Sequence, residues 1–433
     1  MAVPLTESPA GFDRFGIDSS ILRGVAAAGF VEPRPIQLDT IPAVLAGRDV
    51  LGLAQTGTGK TAAFALPLLH RVARGQRRGP RVLVLAPTRE LATQIDAEIR
   101  TLARFTKLRV VTVFGGVSAH GQIQSLRRDP EIVVGCPGRI LDLVGRRVLR
   151  LGEVESVVLD EADHMFDMGF LPDLRRILAA LPPKRQNLLF SATMPREIRA
   201  LANRLLQNPH VVELAHCGPA KTIDHALVSV REDRKRDLLH RLLTEDDCQS
   251  AIVFTRTKHR AKRLAQQLDR AGHRAVGLQG NMSQGQRDRA MQGFRQRRFD
   301  VLVATDIAAR GIDVQGVSHV INFDVPNTPE VYTHRIGRTG RAELEGRALT
   351  FVTRDDGAWL RATERKLGNS IPRQTVEGFD AEPIESGNGS RPSRRAGGRG
   401  GAASSRPGGN GRPRGRRRRR PAHGSAQRRR RQG

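Results

Sequence analysis

The sequence is poor in cysteine, in aromatic residues and in long apolar runs. Three cysteines, Cys136, Cys217 and Cys248, are spread over 433 residues and form no Cys-x-x-Cys pair. Their spacing indicates neither a disulfide framework nor a zinc site, and it fits a reducing compartment. No run of about eighteen apolar residues suggests a membrane span, and residues 1–15 lack the basic and apolar regions of a secretory signal. We therefore expect a cytoplasmic protein without a membrane anchor.

Acidic residues are too few to balance the basic ones. Lysine and arginine number 72 against 44 acidic residues, so the formal net charge is +28. Residues 391–433 alone contain sixteen arginines and no acidic residue. This charge predicts attraction to polyanions, of which nucleic acid is the commonest in a cytosol, although a tail that only increases solubility is the alternative. Because the end of the chain is dominated by Gly, Arg, Ser and Pro, we expect residues 377–433 to be disordered.

The most informative stretch is residues 54–61, which read Ala-Gln-Thr-Gly-Thr-Gly-Lys-Thr. An apolar run precedes it and an apolar-periodic segment follows, so the order strand, glycine loop, helix is predicted. In such a loop, backbone N–H groups and the helix N-terminus bind phosphate oxygens. Ala54 departs from the usual pattern, which begins with glycine, and a simple glycine turn beside a surface lysine is the alternative. The predicted nucleotide-binding residues are Ala54, Gln55, Thr56, Gly57, Thr58, Gly59, Lys60 and Thr61. Of these, Lys60 would reach the β- and γ-phosphates, and the Thr61 hydroxyl would hold Mg²⁺.

Short apolar runs alternate with helical patterns through most of the chain. Continuous apolar runs of this kind predict parallel strands with helices on both faces, and ligands then collect at the carboxyl ends of the strands. Pro209, Gly218 and Pro219 interrupt the alternation. We predict an α/β protein with one domain at residues 1–208, a linker at 209–221 and a second domain at 222–376. After residue 53, the predicted strands are 82–86, 110–114, 132–134, 157–159, 188–190, 251–254, 275–278, 301–304, 320–323 and 349–352.

Two neighbouring carboxylates directly follow the predicted strand 157–159. Asp160, at the end of a strand in the same sheet as a phosphate loop, is placed to hold Mg²⁺. Glu161 would orient and deprotonate the attacking water. An acidic first turn of a helix is the alternative reading of the same residues. The phosphate loop favours the catalytic interpretation.

These motifs together resemble those of the DEAD-box RNA helicases. The resemblance rests on residues 54–61, on Asp-Glu-Ala-Asp at 160–163, on Ser-Ala-Thr at 191–193 and on His-Arg-Ile-Gly-Arg-Thr-Gly-Arg at 334–341. It implies two tandem RecA-like domains with ATP and RNA bound across the cleft between them. It also implies RNA-stimulated ATP hydrolysis that unwinds short RNA duplexes or remodels RNA–protein complexes. Within the family, the compact core and basic tail look most like the bacterial RhlE-type group.

The resemblance also implies roles for single residues in binding ATP and Mg²⁺. Gln37 would read the N6/N7 edge of adenine, Phe12 would stack on its ring, and Asp313 would contact nucleotide from the second domain. Arginines from that domain would stabilise the γ-phosphate in the transition state. The implied catalytic set is Lys60, Glu161, Arg338 and Arg341, with Gly311 added to the nucleotide-binding residues. The residues implied to couple hydrolysis to strand separation are Asp163, Ser191, Thr193 and His334.

The remaining family motifs would bind RNA. They combine arginines, hydroxyls and glycines with few aromatic residues, a set that suits phosphate and sugar contacts and therefore sequence-independent, salt-dependent binding. Cys136 and Gln279 stand where the family usually has Thr and His. The implied RNA-binding residues are Pro87, Thr88, Arg89, Gly115, Gly116, Pro137, Gly138, Arg139, Thr255, Arg256, Gln284, Arg287 and Thr305.

Two other classes of function stay open on the sequence alone. One is an RNA chaperone or clamp whose ATPase is vestigial, and the other is an ATP-driven DNA helicase with related domains. Competent residues at every catalytic position argue against the first, and the Gln37 motif together with Asp-Glu-Ala-Asp argues against the second. We expect a monomeric core, with ribosome-assembly or RNA-decay complexes as candidate partners.

Overall fold

A computed structural model describes residues 11–54, 57–75, 79–214, 223–309, 317–340 and 346–379. The described residues form two parallel-sheet lobes, so the predicted two-domain α/β architecture is confirmed. We call residues 11–214 the first lobe and residues 223–379 the second lobe. The proposed disordered tail lies outside the described residues, apart from residues 377–379. No described helix is long and apolar enough to cross a membrane.

The described part of the first lobe contains a seven-stranded parallel sheet with the order β3-β4-β2-β5-β6-β1-β7. Its strands are β1 (Val50–Leu53), β2 (Val82–Leu85), β3 (Val110–Val113), β4 (Ile132–Gly135), β5 (Ser156–Leu159), β6 (Gln186–Ser191) and β7 (His210–Glu213). Its helices are α1 (Ser19–Ala27), α2 (Pro35–Leu45), α3 (Lys60–Ala73), α4 (Arg89–Leu102), α5 (Ala119–Leu126), α6 (Pro137–Gly145), α7 (Ala162–Asp167), α8 (Leu171–Ala179) and α9 (Arg196–Leu205). A 3₁₀ turn, Gly11–Phe15, precedes them.

The described part of the second lobe contains a six-stranded parallel sheet with the order β10-β11-β9-β12-β13-β8. Its strands are β8 (Ile223–Ser229), β9 (Ala251–Phe254), β10 (Ala275–Leu278), β11 (Val301–Ala304), β12 (His319–Asn322) and β13 (Gly346–Val352). Its helices are α10 (Lys235–Leu243), α11 (Lys258–Arg270), α12 (Gln284–Arg295), α13 (Asp306–Ala309), α14 (Pro329–Ile336) and α15 (Gly357–Leu367).

Strand β2 shows why continuous apolar runs produce this fold. Val82 and Val84 pack into the core on one face of the first sheet, whereas Leu83 and Leu85 pack into the core on the other face. Successive side chains of a strand point to opposite faces, so a strand covered on both faces must be apolar at every position. The same division separates alternate residues of β11 in the second lobe.

The predicted linker was wrong at its beginning, because residues 210–213 form β7 and pair in parallel with β1. The carboxylate of Asp49 explains how this edge strand is attached. It accepts hydrogen bonds from the backbone N–H of Asn187, at 2.7 Å, and from that of Gln207, at 2.8 Å. Asp49 thus joins the starts of β1 and β6 to the segment leading into β7. Residues 215–222 lie outside the described residues.

Candidate active site

The predicted phosphate loop lies between the end of β1 and the beginning of α3. Gly57 and Gly59 have positive φ angles, +85° and +93°, and α3 begins directly after Gly59. A Cβ on Gly59 would lie 2.7 Å from the Nε2 atom of Gln37, so the loop needs glycine there for both its backbone conformation and its space. Of the predicted loop residues, Gln55 and Thr56 lie outside the described residues. The loop therefore presents a helix N-terminus in the way that phosphate binding requires.

Lys60 is buried at the first position of α3, and its Nζ atom donates a hydrogen bond to the carbonyl oxygen of Ala54 at 2.9 Å. The ammonium group therefore lies inside the loop and completes its turn. Thr61 follows, half-buried, on the same helical turn. This arrangement places one cation and one hydroxyl at the N-terminus of α3, and their contacts with phosphate and Mg²⁺ stay predictions.

Gln37, predicted to read adenine, is fully buried against the loop. Its Nε2 atom donates to the Gly59 carbonyl oxygen at 3.2 Å, and its Oε1 atom accepts from the Arg34 backbone N–H at 2.8 Å. Since an amide side chain has two N–H donors and two acceptor lone pairs, one of each is left for an adenine edge. Phe12 is only 4% exposed and packs against Phe15 and Phe30, with ring centroids 6.2 and 6.1 Å away. Little of the Phe12 ring is open to a nucleotide, and its stacking role stays a prediction.

Asp160 and Glu161 lie at the carboxyl end of β5, and both are almost completely buried. Asp160 accepts a hydrogen bond through Oδ1 from the Glu161 backbone N–H at 3.0 Å. Burial raises the pKa of Asp160 to about 6, and Glu161 adds to the increase whereas Lys60 opposes it. Burial also acts to raise the pKa of Glu161, but His164, Lys60 and Arg338 together hold that pKa well below its usual range. Glu161 is therefore an ionised carboxylate among cations.

The oxygen donors present fit a magnesium ion. Thr61 and Asp160 supply a hydroxyl and a carboxylate, the hard ligands that Mg²⁺ prefers. Asp160 is a buried carboxylate whose pKa is raised, and a divalent cation would stabilise its charged form. This donor set is small, which suits an ion that keeps several waters and binds substrate phosphates.

Hydrogen bonds of Asp163 connect the segment after β5 to the segment that follows β6. Its Oδ2 atom accepts from the backbone N–H of Thr193 at 2.9 Å and from the Thr193 hydroxyl at 2.8 Å. The Ser191 hydroxyl accepts from the Asp163 backbone N–H at 3.2 Å and donates to the Thr193 carbonyl oxygen at 2.7 Å. Burial opposes ionisation, but His164, His334 and the Thr193 hydroxyl lower the pKa of Asp163. Three of the predicted coupling residues thus form one network.

The fourth predicted coupling residue, His334, lies on α14 of the second lobe. Its Nδ1 atom lies 3.5 Å from Nε2 of His164, and the two rings are nearly perpendicular, with centroids 5.3 Å apart. Burial lowers the pKa of His334 to about 4, and His164 adds to that effect. His164 also contacts Glu161, with 2.9 Å between its Nδ1 atom and the Oε2 atom. The sequence analysis missed His164; its one signal was a position three residues after Glu161, which places the two side chains on one helix face.

Arg335 is a second residue that the sequence analysis did not single out. Its buried guanidinium group forms a bidentate pair with Asp306, at 2.6 and 2.8 Å, and donates to Asn322 Oδ1 at 3.0 Å. These contacts fix α14 against the ends of β11 and β12, and thereby fix His334 and Arg338 on that segment. Arg338 is 8% exposed and lies close enough to Glu161 to lower its pKa. Gly311, Asp313 and Arg341 lie outside the described residues.

Several predicted RNA-binding residues contact protein across the junction between the lobes. The Arg89 Nη1 atom donates to Gln284 Oε1 at 3.1 Å. Arg287 pairs with Glu90 through its Nε atom at 2.8 Å and donates from Nη2 to the Ala308 carbonyl oxygen at 3.1 Å. The Nε and Nη2 atoms of Arg287 therefore both donate to protein acceptors. The contact of Arg287 with RNA stays a prediction. A Cβ on Gly116 would collide with the Arg89 guanidinium group, so Gly116 lets that arginine cross the loop.

The other predicted RNA-binding residues divide between the two lobes. Arg139 stays within the first lobe, where it donates to Gln122 Oε1 at 3.1 Å and to the Val117 carbonyl oxygen at 3.0 Å. The Arg256 backbone N–H donates to Asp324 Oδ2 at 2.8 Å. The first-lobe members lie at the ends of strands or the starts of helices, namely Pro87, Thr88, Gly115, Pro137 and Gly138. In the second lobe, Thr255 and Thr305 directly follow β9 and β11.

Fold and site together define a two-lobed α/β protein with a phosphate loop, two acidic residues beside it and basic residues supplied by the second lobe. Residues 34–201 match the DEAD/DEAH box helicase family, and residues 234–343 match the helicase conserved C-terminal domain. The ATP-dependent RNA helicase CshA of Listeria monocytogenes is 48% identical over 354 residues, which span 82% of this chain and 68% of that protein. The DEAD-box ATP-dependent RNA helicase CshA of Bacillus subtilis is 44% identical over 85% of this chain and 75% of that protein. The chain belongs to the family of DEAD-box ATP-dependent RNA helicases.

Solved structures confirm the tandem RecA-like fold. The chain resembles Saccharomyces cerevisiae Dbp5 bound to RNA and ADP BeF3, with a TM-score of 0.76 and 33% identity over 85% of this chain and 96% of that one. It resembles a Dbp5 variant bound to Nup159, a Gle1 variant, IP6 and ADP less closely, with a TM-score of 0.60 and 32% identity over 84% and 96% of the two chains. The expected RhlE-type subgroup is not confirmed, because the bacterial relatives described above carry the name CshA.

Proposed function

We propose that this chain hydrolyses ATP in response to RNA and uses the cycle to separate short RNA duplexes or to remodel RNA–protein complexes. One observation carries the proposal: second-lobe His334 contacts His164, and second-lobe Arg338 lies close enough to the buried carboxylate of Glu161 to lower its pKa. Neither lobe has the full set of groups alone. Turnover therefore depends on the two lobes meeting.

ATP is the substrate, and the residues around it have separate tasks. Backbone N–H groups at the start of α3 and the Lys60 ammonium group would bind its phosphates, while Gln37 reads adenine. Thr61 and Asp160 would hold Mg²⁺, which when bound would neutralise charge on the phosphates. Glu161, held ionised among cations, orients a water molecule and accepts its proton. Arg338, joined by Arg341, stabilises the charge on the transferred phosphoryl group.

RNA would bind across both lobes through its phosphates and sugars. Arg89, Arg139 and Arg287 lie in the first turns of α4, α6 and α12, and Arg256 follows β9. Hydroxyl and glycine residues accompany these arginines. This composition favours contacts that position a strand without reading its bases. Dbp5, which this chain resembles, is bound to RNA together with ADP BeF3 in two of the solved structures. RNA that touches both lobes would bring them together and so complete the catalytic set.

The cellular setting is part of the same proposal. We place the protein in the cytoplasm as a monomeric core, with ribosome-assembly or RNA-decay complexes as candidate partners. The compact core and the basic tail support membership of the RhlE-type group. Crosslinking of bound RNA in cells, followed by sequencing, identifies the targets.

Phosphate release measured with and without RNA tests the proposal. We expect strong stimulation by single-stranded RNA, weaker stimulation by DNA of the same sequence, and loss of turnover by a factor of about 10² or more in Glu161→Gln. Lys60→Ala should instead weaken ATP binding. RNA-stimulated turnover that survives Glu161→Gln would refute the assigned base, and equal activation by DNA would favour a DNA helicase.

A further inference from the structure

His164 lies between the carboxylate of Glu161 and the second lobe. The Nδ1 atom of His164 is 2.9 Å from Glu161 Oε2, and its Nε2 atom is 3.5 Å from Nδ1 of His334, the outer limit of a hydrogen bond. His164 is 6% exposed, so both contacts are largely removed from water. One side chain of the first lobe thus touches the candidate base at one end and the other lobe at the opposite end.

The ring of His164 has a contact at each end. A carboxylate that acts as a base only accepts, so His164 donates to Glu161 from Nδ1. At the other end, Nε2 of His164 faces Nδ1 of His334, and one of these two nitrogens donates while the other accepts. The orientation of the His164 ring therefore depends on the position of His334.

The hydrogen bond from His164 acts on a carboxylate that does not cap its own helix. The residue has a φ of +53°, in the left-handed region, and its side chain makes no capping hydrogen bond to α7. A carboxylate that must direct a water molecule loses efficiency when it samples several orientations. The bond from His164 narrows the range of orientations of the Glu161 carboxylate.

We propose that His164 is a positioning residue that aligns the general base when the second lobe arrives. The proposal rests on the function proposed above, in which Glu161 is the base. With His334 in place, the ring of His164 is held at both ends and the Glu161 carboxylate has one orientation. When the lobes part, the outer contact is lost and the carboxylate is less restrained. RNA would thus stimulate hydrolysis through the position of the base as well as through the arginines.

Two substitutions separate the two contacts of the ring. In His164→Asn the amide nitrogen takes the place of Nδ1, so the bond to Glu161 is kept and the contact with His334 is lost. In His164→Gln the amide group reaches the position of Nε2, so the bond to Glu161 is lost. We expect the RNA-stimulated kcat to decrease in the order wild type, Asn, Gln, with His164→Ala reduced about tenfold or more. The KM for ATP should stay within about twofold in all three, because no ATP contact is removed.

This order distinguishes positioning from packing. Glutamine matches the volume of histidine better than asparagine does, so a residue that only fills space would give a more active Gln variant than Asn variant. That result, with circular dichroism showing all variants folded, would overturn the proposal.

A double-substitution experiment tests the contact between the two histidines. The factor by which His334→Ala lowers the RNA-stimulated kcat should be smaller in the His164→Asn background than in the wild type, because the shared contact is already absent. Equal losses in the two backgrounds would also contradict the proposal.

A matched control and a reference variant complete the test. His225 is a half-buried histidine of β8 whose Nδ1 atom lies 2.8 Å from the Tyr332 hydroxyl, outside the residues around Glu161. His225→Asn should keep the RNA-stimulated kcat within about twofold of the wild type. If Glu161→Gln is inactive while His164→Ala turns over like the wild type, the inference fails and the proposed function stands. If Glu161→Gln remains active, the proposed base itself is wrong.

Discussion

Glu90 of the first lobe and Arg287 of the second lobe form an ion pair, with 2.8 Å between Oε1 and Nε. Their side chains are 18% and 14% exposed, so solvent screens this pair less than a surface pair. The pair exists only while the lobes are together. It therefore contributes to closure and not to the stability of either lobe.

Breaking this pair should weaken the coupling between ATP and RNA. In Glu90→Gln we expect the factor by which RNA tightens the binding of a non-hydrolysable ATP analogue to fall about fivefold, or about 1 kcal/mol. Combining Glu90→Arg with Arg287→Glu should restore part of this coupling factor. Asp96→Asn is the matched control, because Asp96 pairs with Arg100 within the same helix, α4. An unchanged coupling factor in Glu90→Gln would show that the pair has no part in closure.

Gly59→Ala should damage the phosphate loop. The left-handed backbone at this residue costs alanine about 1–2 kcal/mol, and the added Cβ would lie 2.7 Å from Gln37 Nε2. We expect ATP affinity, measured by titration calorimetry, to fall about tenfold or more, while RNA binding without nucleotide is retained. Gly121→Ala, at an exposed position of α5 where a Cβ meets no atom within 4 Å, should bind ATP normally. Normal ATP affinity in Gly59→Ala would contradict the described loop.

Cys136→Thr should stabilise the first lobe. Cys136 occupies the N-cap position of α6 in extended conformation, and its side chain makes no capping hydrogen bond. A threonine hydroxyl would accept from the first turn of α6, which is worth about 1 kcal/mol. The check is the urea midpoint of unfolding, with Cys136→Val as the control because valine has the shape of threonine without the hydroxyl. Equal midpoints for the Thr and Val variants would refute the capping explanation.

Removing the tail should affect RNA binding more than catalysis. Truncation after Glu385 deletes all sixteen arginines of residues 391–433. If the tail raises the local RNA concentration, the RNA concentration for half-maximal ATPase should rise and its dependence on salt should become flatter. The maximal rate with saturating RNA should stay the same. An unchanged RNA requirement would leave the tail with no tethering role.

The fold was largely predictable because its signal is repeated along the chain. Strands such as β2 and β11 are apolar at every position, and runs of this length are too short for a buried helix. The sequence analysis did not predict β7 and β8, because their residues do not form continuous apolar runs. β7 is a mostly exposed edge strand, and β8 places Asp224 and His225 at its exposed and half-buried positions, so neither reads as a continuous apolar run.

The site was predictable in its motifs but not in its contacts. Glycines and a lysine at fixed spacing indicate a phosphate loop, because few other structures need them. Single residues carry no such pattern. His164 and Arg335 acquire their roles from partners 170 and 29 residues away in the chain, and only the folding of the chain brings those partners together. The packing of the two lobes likewise gives Arg287, an expected RNA ligand, a protein partner in Glu90 that no motif indicated.

The central claim is that nucleotide and RNA together hold the two lobes in contact. Energy transfer between one dye at Glu153 in the first lobe and another at Arg270 in the second, both exposed residues, measures that contact directly. Its efficiency should change to a single new value only when a non-hydrolysable ATP analogue and single-stranded RNA are both present. Arg338→Ala should reduce the change. The same efficiency with either ligand alone, with both or with neither would contradict the account.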